Sequence, residues 1–238
     1  MSHSTLLLQP SNMISHPVVL SPATSSELLS YIISSHRYPT TLIIGGSKQE
    51  FLAAVVEQLL HQLSLNHDQP PEDTNDTDTP THPLLKASLH QVAISRHIRI
   101  IFAPTVTHLR SYLSVFSAND SRIPPPPNHT PPPGKLPLLL VYGLLSLHRD
   151  ASEWSAQGIG NSAAALVDCA VRNEFRPVII EPRGVGGHED LQRLSNEIIP
   201  LLNGTARKDD GSWSGRTVNI RQVLSRWFKF ETREWEIP

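Results

Sequence analysis

The sequence has a single cysteine, Cys169, in 238 residues. One thiol excludes an internal disulfide and any zinc or iron–sulfur site built from several cysteines, and it is typical of a reducing compartment. Neither positive nor negative charge is in large excess, because the 20 Lys and Arg residues and the 22 Asp and Glu residues give a formal net charge of −2. A nucleic-acid site would therefore have to be a local basic patch.

Long apolar segments and metal-binding patterns are also missing. The longest apolar run, Leu138 to Leu145, is far below the roughly 20 residues that span a bilayer. Residues 1–13 lack the basic and apolar regions of a secretory signal. The 12 histidines contain no H-E-x-x-H or similar spacing. The sequence therefore predicts a soluble intracellular chain with no bound metal ion and no cofactor.

Two segments have the composition of surface insertions. Seven of the 21 prolines lie in Pro124 to Pro127 and Pro131 to Pro133, and such a tract favours polyproline II and cannot enter the interior of a sheet. Segment 66–82 is acidic and almost free of apolar side chains, which is typical of disorder. We interpret 66–82 and 120–136 as polar insertions.

Strand-like apolar runs alternate with helical patterns through most of the chain. Strands are predicted at 40–46, 97–104, 138–145 and 177–182, and helices at 17–35, 47–63, 83–95, 107–116 and 153–173. The clearest helical period follows the first of these strands and consists of Leu52, Val55, Val56, Leu59, Leu60 and Leu63. Continuous apolar strands joined by helices are typical of a parallel sheet that is covered on both faces.

The C-terminal third has a different pattern, with short runs at 197–204, 216–224 and 226–231 separated by turn-rich sequence. These runs predict antiparallel strands that close one edge of the sheet. We therefore predict an α/β fold with a mostly parallel twisted sheet flanked by helices. It forms a single domain over 17–238, after a flexible N-terminus at 1–16.

The first candidate site is the glycine-rich turn Gly45, Gly46, Ser47 and Lys48, which follows a strand where nucleotide-binding folds place G-x-x-x-x-G-K-[ST]. A phosphate cradle needs more residues between strand and lysine, and Gln49 stands where a hydroxyl should bind magnesium. Ser47 and Glu50 instead match a capping box for the following helix. We predict a degenerate phosphate loop, with an atypical ATPase as the alternative.

Other catalytic patterns are incomplete. Nucleotide hydrolysis needs an acid that holds the hydrated magnesium at the end of an apolar strand, but the strand at 138 ends in Tyr142 and Gly143. Ser162 comes one residue too late for G-x-S-x-G. Glu153, Asp168 and Glu181 are single carboxylates without an evident partner, and Cys169 is predicted to be a buried structural thiol. The sequence therefore favours a protein that is not an enzyme.

Basic and aromatic residues are concentrated towards the C-terminus. They comprise Arg183, Arg193, Arg207, Lys208, Arg216, Arg221, Arg226, Lys229 and Arg233, with Trp213, Trp227, Phe228 and Trp235 between them. Basic groups neutralise phosphates and aromatic rings stack on bases, so the mixture suits single-stranded nucleic acid. It also suits a solvated outer face of a sheet whose aromatic residues pack inside, or a surface for a protein partner.

Four segments resemble, in order, the core of the RecA-family recombinases. They are TTLIIGG, LLLVYGLLSLH, PVIIEPRGVGG, and the terminal pattern NEIIPLLNG followed by RTVNIRQVLSRWFKFE. The terminal pattern is the most specific part, because strand, basic hairpin, strand and short aromatic strand recur in that order. The resemblance spans about residues 20–232 and implies a RecA-like sheet. It also implies that Arg183 and His188 lie in the second DNA-binding loop.

The resemblance implies a degenerate RecA-like recombinase paralogue. Such proteins include the small Shu-complex subunits, which pair with another RecA-like subunit or a SWIM-domain protein and help to load the recombinase filament on single-stranded DNA. They also include the RecA-like subunits of Elongator, which bind transfer RNA. The expected function is therefore a non-catalytic nuclear subunit in homologous recombination and DNA repair. The alternative is a cytoplasmic Elongator-type subunit in tRNA wobble-uridine modification.

Overall fold

The structure, a computed structural model, describes residues 16–34, 38–67, 88–120, 123–128, 130, 136–149, 151–184, 187 and 190–233. Its strands are β1 (Val18–Leu20), β2 (Thr40–Gly45), β3 (Ile98–Ala103), β4 (Leu138–Tyr142), β5 (Arg176–Ile180), β6 (Ile198–Pro200), β7 (Thr217–Asn219) and β8 (Lys229–Glu231). Its helices are α1 (Ser25–Ser34), α2 (Lys48–His67), α3 (Leu89–Ser95), α4 (Val106–Val115), α5 (Leu144–Arg149), α6 (Ala156–Arg172), α7 (Leu191–Asn196) and α8 (Ile220–Leu224).

Within these residues the main sheet has six strands in the order β3-β2-β4-β5-β1-β8, and every neighbouring pair is parallel. Strands β6 and β7 form a separate antiparallel pair. The predicted fold class, a mostly parallel α/β sheet flanked by helices with antiparallel strands in the C-terminal third, is confirmed. The pair does not continue the main sheet, however, and the last strand, β8, joins β1 in parallel rather than antiparallel.

Successive residues of the central strands point into two different cores, because side chains of a strand alternate between its faces. Ile43, Leu139 and Val141 pack with α4, α5, α6 and α8 on one face. Leu42 and Leu140 pack with α1 and the first turn of α2 on the other. Both faces of the central strands are therefore buried, which explains why their sequences are continuously apolar rather than alternating.

Two segments differ from their predicted elements. The segment predicted as one helix at 17–35 is a helix only from Ser25, and its first part, Val18–Leu20, forms β1, which is buried between β5 and β8. The predicted strand at 216–224 is a strand only up to Asn219 and is then a helix. The Asn219 side chain accepts from Gln222 N at 2.8 Å, and the Gln222 side chain accepts from Asn219 N at 3.4 Å. This reciprocal cap starts α8 where the strand pattern alone would continue.

The predicted insertions and N-terminus are described only in part. Residues 1–15 and 68–82 lie outside the described residues, while α2 continues to His67, two residues into segment 66–82. In segment 120–136, the Tyr38 hydroxyl donates to the Ile123 carbonyl at 2.7 Å and His97 Nδ1 donates to the Pro124 carbonyl at 2.8 Å. The start of the proline tract is therefore attached to the domain.

Helix α2 presents most of its periodic leucine and valine residues to solvent. Leu52, Val56 and Leu60 are 49, 54 and 61 % exposed, whereas the buried positions between residues 48 and 64 of this helix are Phe51 and Gln58. The period correctly predicted a helix. A helical period does not state which side of the helix meets the sheet, and here the apolar side lies mainly on the outside.

A buried polar network joins α4, α5 and α6. His148 is fully buried, and its Nδ1 donates to the Leu144 carbonyl at 2.8 Å. Its Nε2 therefore accepts from the Ser162 hydroxyl at 3.0 Å, and the same hydroxyl accepts from Arg110 Nε at 2.8 Å. Arg110 is also paired with Glu153. Burial lowers the pKa of His148, so the network holds a neutral imidazole.

We expect the contribution of His148 to the free energy of unfolding to fall as the pH decreases below about 6.5, the ordinary pKa of histidine. Below that pH the unfolded chain binds a proton at His148 that the folded chain excludes. The contribution of the neutral imidazole to the free energy of unfolding is therefore present above that pH, and it is lost as the pH falls towards the lowered pKa of the folded state. Urea unfolding of the wild type and of His148→Gln between about pH 5 and 7.5 measures the difference in slope. His108→Gln, at an exposed histidine, should keep the wild-type slope. Equal slopes in the wild type and His148→Gln would contradict the assignment.

Candidate functional site

The chain order of the strands places a crevice between β2 and β4. From β2 the chain passes to β3 on one side and then crosses to β4 on the other, and ligands of open α/β sheets bind at such a switch point, beyond the carboxyl ends of the strands. The crevice has a volume of about 270 Å³ and is lined by residues including Gly45, Phe51, Tyr142 and Arg183. We call it the switch-point crevice.

The backbones of the two strands meet at the base of this crevice. A Cβ atom at Gly45 would lie 2.6 Å from the carbonyl oxygen of Gly143, a distance that no side chain can adopt. Gly46 and Gly143 have φ angles of 145° and 86°, which favour glycine. The glycines predicted to form a degenerate phosphate loop are therefore required by the local backbone, without any phosphate.

The turn from β2 into α2 is closed by its own side chains. Ser47 N donates to the Glu50 carboxylate at 2.8 Å, and Glu50 N donates to the Ser47 hydroxyl at 3.1 Å. These hydrogen bonds from Ser47 lower the pKa of Glu50. The predicted capping box is confirmed, and it uses two of the N–H groups that a phosphate cradle would need. Lys48 is exposed on the first turn of α2.

Tyr142 occupies the end of β4, where a magnesium-binding acid would be expected. Its hydroxyl donates to the Ala23 carbonyl at 2.9 Å, and its ring makes an edge contact with Phe51. Burial raises the pKa of Tyr142 to about 12. The side chain is therefore an uncharged phenol that holds the end of β4 to the segment between β1 and α1, and it does not suit a metal ion.

Arg183, a predicted nucleic-acid contact, lies at the rim of the switch-point crevice and is paired with Glu27. Glu27 also accepts from Thr24 N at 2.7 Å at the start of α1. Arg183 Nε is buried and has no hydrogen-bond partner within the described part of the chain. This arginine is thus oriented towards the protein. His188, predicted beside it, lies outside the described residues.

A second, larger crevice lies next to the first, beyond the ends of β1 and β5. It has a volume of about 610 Å³ and contains Glu181 at its base. The Glu181 carboxylate accepts from Leu145 N at 2.7 Å, from Ser146 N at 3.1 Å and from the Ser146 hydroxyl at 3.0 Å. Burial nevertheless raises the pKa of Glu181 to about 7. We call this the Glu181 crevice.

Arginine–glutamate pairing shapes the wall of the Glu181 crevice. Arg149 makes two hydrogen bonds of 2.6 Å to the Glu197 carboxylate, and its guanidinium lies 4.7 Å from the ring centre of Trp154. Arg193 also lines the crevice. Arg193 is exposed at this wall and can contact a polar ligand, whereas the Glu181 carboxylate is 2 % exposed and its oxygens face the start of α5.

In the sequence Glu181 is a single carboxylate without an evident partner, whereas the structure shows three donors around it. One signal could have found it. Glu181 directly follows the apolar strand β5, and the carboxyl ends of parallel strands are where ligand sites form. Its partners lie 35 and 36 residues earlier in the chain, so their contact with it is not visible as a motif.

Three of the predicted nucleic-acid residues lie on one structure, which we call the basic hairpin (residues 205–216). Arg207 Nε donates to the Gly211 carbonyl at 3.0 Å, and its guanidinium lies 5.9 Å from the ring centre of Trp213. Lys208 and Arg216 are exposed. Asp210 caps the turn by accepting from Ser212 N at 2.8 Å and from its hydroxyl at 2.6 Å. The hairpin therefore presents three cations to solvent beside one tryptophan.

Arg221 does not belong to this group. It lies on α8, with its guanidinium 4.9 Å from the ring centre of Phe230 on β8, and it lines a separate cavity of about 330 Å³. The structure thus brings Arg207, Lys208 and Arg216 together on one hairpin, and places Arg183 and Arg221 on other elements.

Comparison with known proteins adds no identity, because neither a protein-family model nor a curated protein matches the chain. Among the described residues, no three His, Cys, Asp or Glu side chains could together hold a metal ion. The helices in that part of the chain are too short or too polar to cross a membrane.

We expect Glu181→Gln to remove a pH-dependent part of the stability. The pKa of Glu181 is raised from 4.5 to about 7, so the wild-type contribution is fully present below pH 4.5 and is lost as the pH rises to about 7. One pKa unit corresponds to about 1.4 kcal/mol, which makes the change on the order of 3 kcal/mol.

Urea unfolding across this pH range measures the effect as the difference between wild type and variant, because His148 contributes a slope of opposite sign. Glu174→Gln, at an exposed glutamate, is the control and should keep the wild-type slope. An unchanged slope in Glu181→Gln would show that the carboxyl ionises normally.

Proposed function

We propose that this chain is a non-catalytic RecA-like subunit of a heteromeric complex, which assists homologous recombination and DNA repair and binds single-stranded DNA weakly. The observation that supports the non-catalytic part most strongly is the closed turn after β2, where Ser47 and Glu50 satisfy each other's backbone N–H groups. The RecA-like assignment rests on the sequence resemblance, with which the parallel sheet is consistent.

Neither requirement of nucleotide hydrolysis is met in the switch-point crevice. Only Gly46 and Ser47 separate β2 from α2, so the backbone cannot curl around a triphosphate. The end of β4 contributes the phenol of Tyr142 rather than a carboxylate. Glu181, the acid at the end of the neighbouring strand, directs its oxygens towards the start of α5. The crevice therefore suits a binding role better than catalysis.

The basic hairpin supports the nucleic-acid part of the proposal. Arg207, Lys208 and Arg216 can neutralise phosphates, and the partly exposed ring of Trp213 offers a surface on which a base can stack. Asp209 and Asp210 are exposed at the same hairpin, which limits the net positive charge. Weak binding is therefore expected from the chain alone, and tighter binding together with a partner.

We place the protein in the nucleus with a RecA-like subunit or a SWIM-domain protein as its partner. Affinity purification with mass spectrometry decides between this pathway and the Elongator alternative. A recombinase paralogue or a SWIM-domain protein among the captured proteins supports the proposal. Capture of Elongator subunits would instead assign the chain to transfer-RNA modification.

We expect no stoichiometric binding of ATP with magnesium, because the N-terminus of α2 is already capped. Isothermal titration calorimetry of the wild type and of Lys48→Ala tests this expectation, and both should give the heat of dilution only. Stoichiometric binding by the wild type that Lys48→Ala abolishes would overturn the non-catalytic proposal and support an atypical ATPase.

Replacing Arg207, Lys208 and Arg216 by alanine should weaken single-stranded DNA binding at least ten-fold. It should also lower the slope of log affinity against log salt by about 2, since each phosphate contact on a single strand contributes about 0.7. Fluorescence anisotropy with a labelled oligonucleotide measures both quantities. Arg96→Ala, an exposed residue after α3, is the control. Asp209→Asn should strengthen binding, and salt-independent binding would contradict the role of the hairpin.

A further inference from the structure

The two edges of the main sheet differ in how well they are protected against pairing. Strand β8 is three residues long, and its first and last residues, Lys229 and Glu231, are charged and exposed. Strand β3 at the opposite edge is six residues long, and Arg99 is its single charged residue. Short strands and charged side chains discourage pairing at a sheet edge, whereas a long apolar edge strand favours it. Strand β3 is therefore the edge at which another strand can be added.

The one charge of β3 does not protect this edge. The Arg99 guanidinium lies 5.5 Å from the ring centre of Tyr112 and 5.8 Å from that of Phe116. Tyr112 belongs to α4, so the arginine side chain lies on the face of the sheet that α4 covers. Ile100 lies on the other face and is 44 % exposed. The described residues thus leave an apolar strand open along its outer side.

The hydrogen bonds to β2 identify the backbone groups of β3 that point outwards. The Ala103 carbonyl accepts from Gly46 N at 3.0 Å, so the backbone groups of Ala103 point towards β2. Successive residues of a strand direct their N–H and C=O groups to alternate sides. Ile98, Ile100 and Phe102 therefore direct theirs outwards, where no described residue bonds to them. These free groups are the pattern with which a neighbouring strand pairs.

A second copy of β3 matches this pattern in an antiparallel arrangement. With a two-fold axis at Ile100, this residue pairs with Ile100 of the partner subunit, and Ile98 pairs with Phe102 of the partner subunit. Each such pair exchanges two backbone hydrogen bonds, so all the outward groups are used. The paired side chains are β-branched or aromatic, and cross-strand pairs of these types stabilise a sheet. The strand is therefore complementary to its own copy.

Other positions of the axis are less favourable. An axis at Arg99 would place the two Arg99 side chains directly opposite each other, and like charges in that position destabilise a sheet. An axis at Ile101 would pair Ile98 with Pro104, which has no N–H group to donate. With the axis at Ile100, Arg99 lies opposite Ile101 of the partner subunit and faces no like charge. Charge and hydrogen bonding therefore select the same register.

We propose that this chain forms a two-fold symmetric dimer in which the β3 strands of two copies pair antiparallel and join the two sheets into one. Ile100, the most exposed residue of β3, is then covered at the symmetry axis. The contact uses neither the basic hairpin nor the switch-point crevice. The inference therefore goes beyond the proposed function and does not depend on it.

Charges introduced at the axis test the pairing. Because residue 100 faces its own copy, Ile100→Lys and Ile100→Asp should each weaken the dimer at least ten-fold by bringing like charges together. An equimolar mixture of the two variants should restore the dimer, since opposite charges then face each other. Analytical ultracentrifugation of the full chain measures the dissociation constants. A wild type that is monomeric at every concentration, or a mixture that dimerises no better than either variant, would overturn the proposal.

Val171→Lys and Val171→Asp are the matched controls. Val171 is 70 % exposed on α6, a helix that packs against β5 in the interior of the sheet. Each control variant should dimerise as the wild type does, and mixing the two should change nothing. Thermal unfolding checks that all four variants are folded.

Amide hydrogen exchange of the unaltered chain, measured by NMR, is a second readout that needs no substitution. The N–H groups of Arg99 and Ile101 point towards β2 and should exchange slowly at every concentration. Those of Ile98, Ile100 and Phe102 should become protected only as the dimer forms.

Three results of the exchange experiment would contradict the pairing. Fast exchange of the outward N–H groups in a dimer would place the interface elsewhere. Protection of these groups in a monomer would assign the edge to another segment of the same chain. Protection that requires an added partner protein would assign the edge to that partner. Dimerisation through β3 in a chain that binds no DNA would leave this inference intact and contradict the proposed function alone.

Discussion

The carboxyl ends of β2 and β4 lie backbone to backbone, with no room for a side chain between Gly45 and Gly143. Hydrogen bonds continue one residue beyond the strands, since Gly46 N donates to the Ala103 carbonyl at 3.0 Å and Gly143 N donates to the Ile180 carbonyl at 2.9 Å. The carboxyl ends of the four neighbouring strands β3, β2, β4 and β5 are therefore aligned with one another. Helices α2 and α5 must then begin within two residues, so the connecting turns stay too short to enclose an anion.

At the same edge of the sheet, backbone N–H groups at the N-termini of several helices are hydrogen-bonded within the chain. Side chains of the chain itself accept from the first turns of α2, α4, α5 and α6, through Ser47, Thr105, Glu181 and Ser155. In nucleotide-binding folds such N–H groups are left for phosphate. Here these N–H groups are already hydrogen-bonded to side chains of the protein, so a phosphate ligand would have to displace those side chains. The exposed cations of the basic hairpin lie on a different element, so an interaction with nucleic acid does not need this edge.

Much of the fold could be predicted from the sequence, and the reasons for the failures are physical. Strands β2, β4 and β5 are buried on both faces, so their continuous apolar runs identify them. The capping box of Ser47 and Glu50 is local and was equally visible. The exposure of the apolar side of α2 could not be predicted, because a helical period does not indicate which side of the helix packs against the sheet. The site at Glu181 depends on donors from another element, and only the folded chain brings them together.

Cys169 lies fully buried within α6, and burial raises the pKa of its thiol to about 11. Thiols in this state stay protonated near neutral pH and react slowly, because the thiolate is the nucleophile. The sequence contains no other cysteine. A cysteine introduced at an exposed position, such as Val56 or Lys208, would therefore be the one reactive thiol of the folded protein. A spectroscopic label can therefore be attached at one chosen site without first removing the native cysteine.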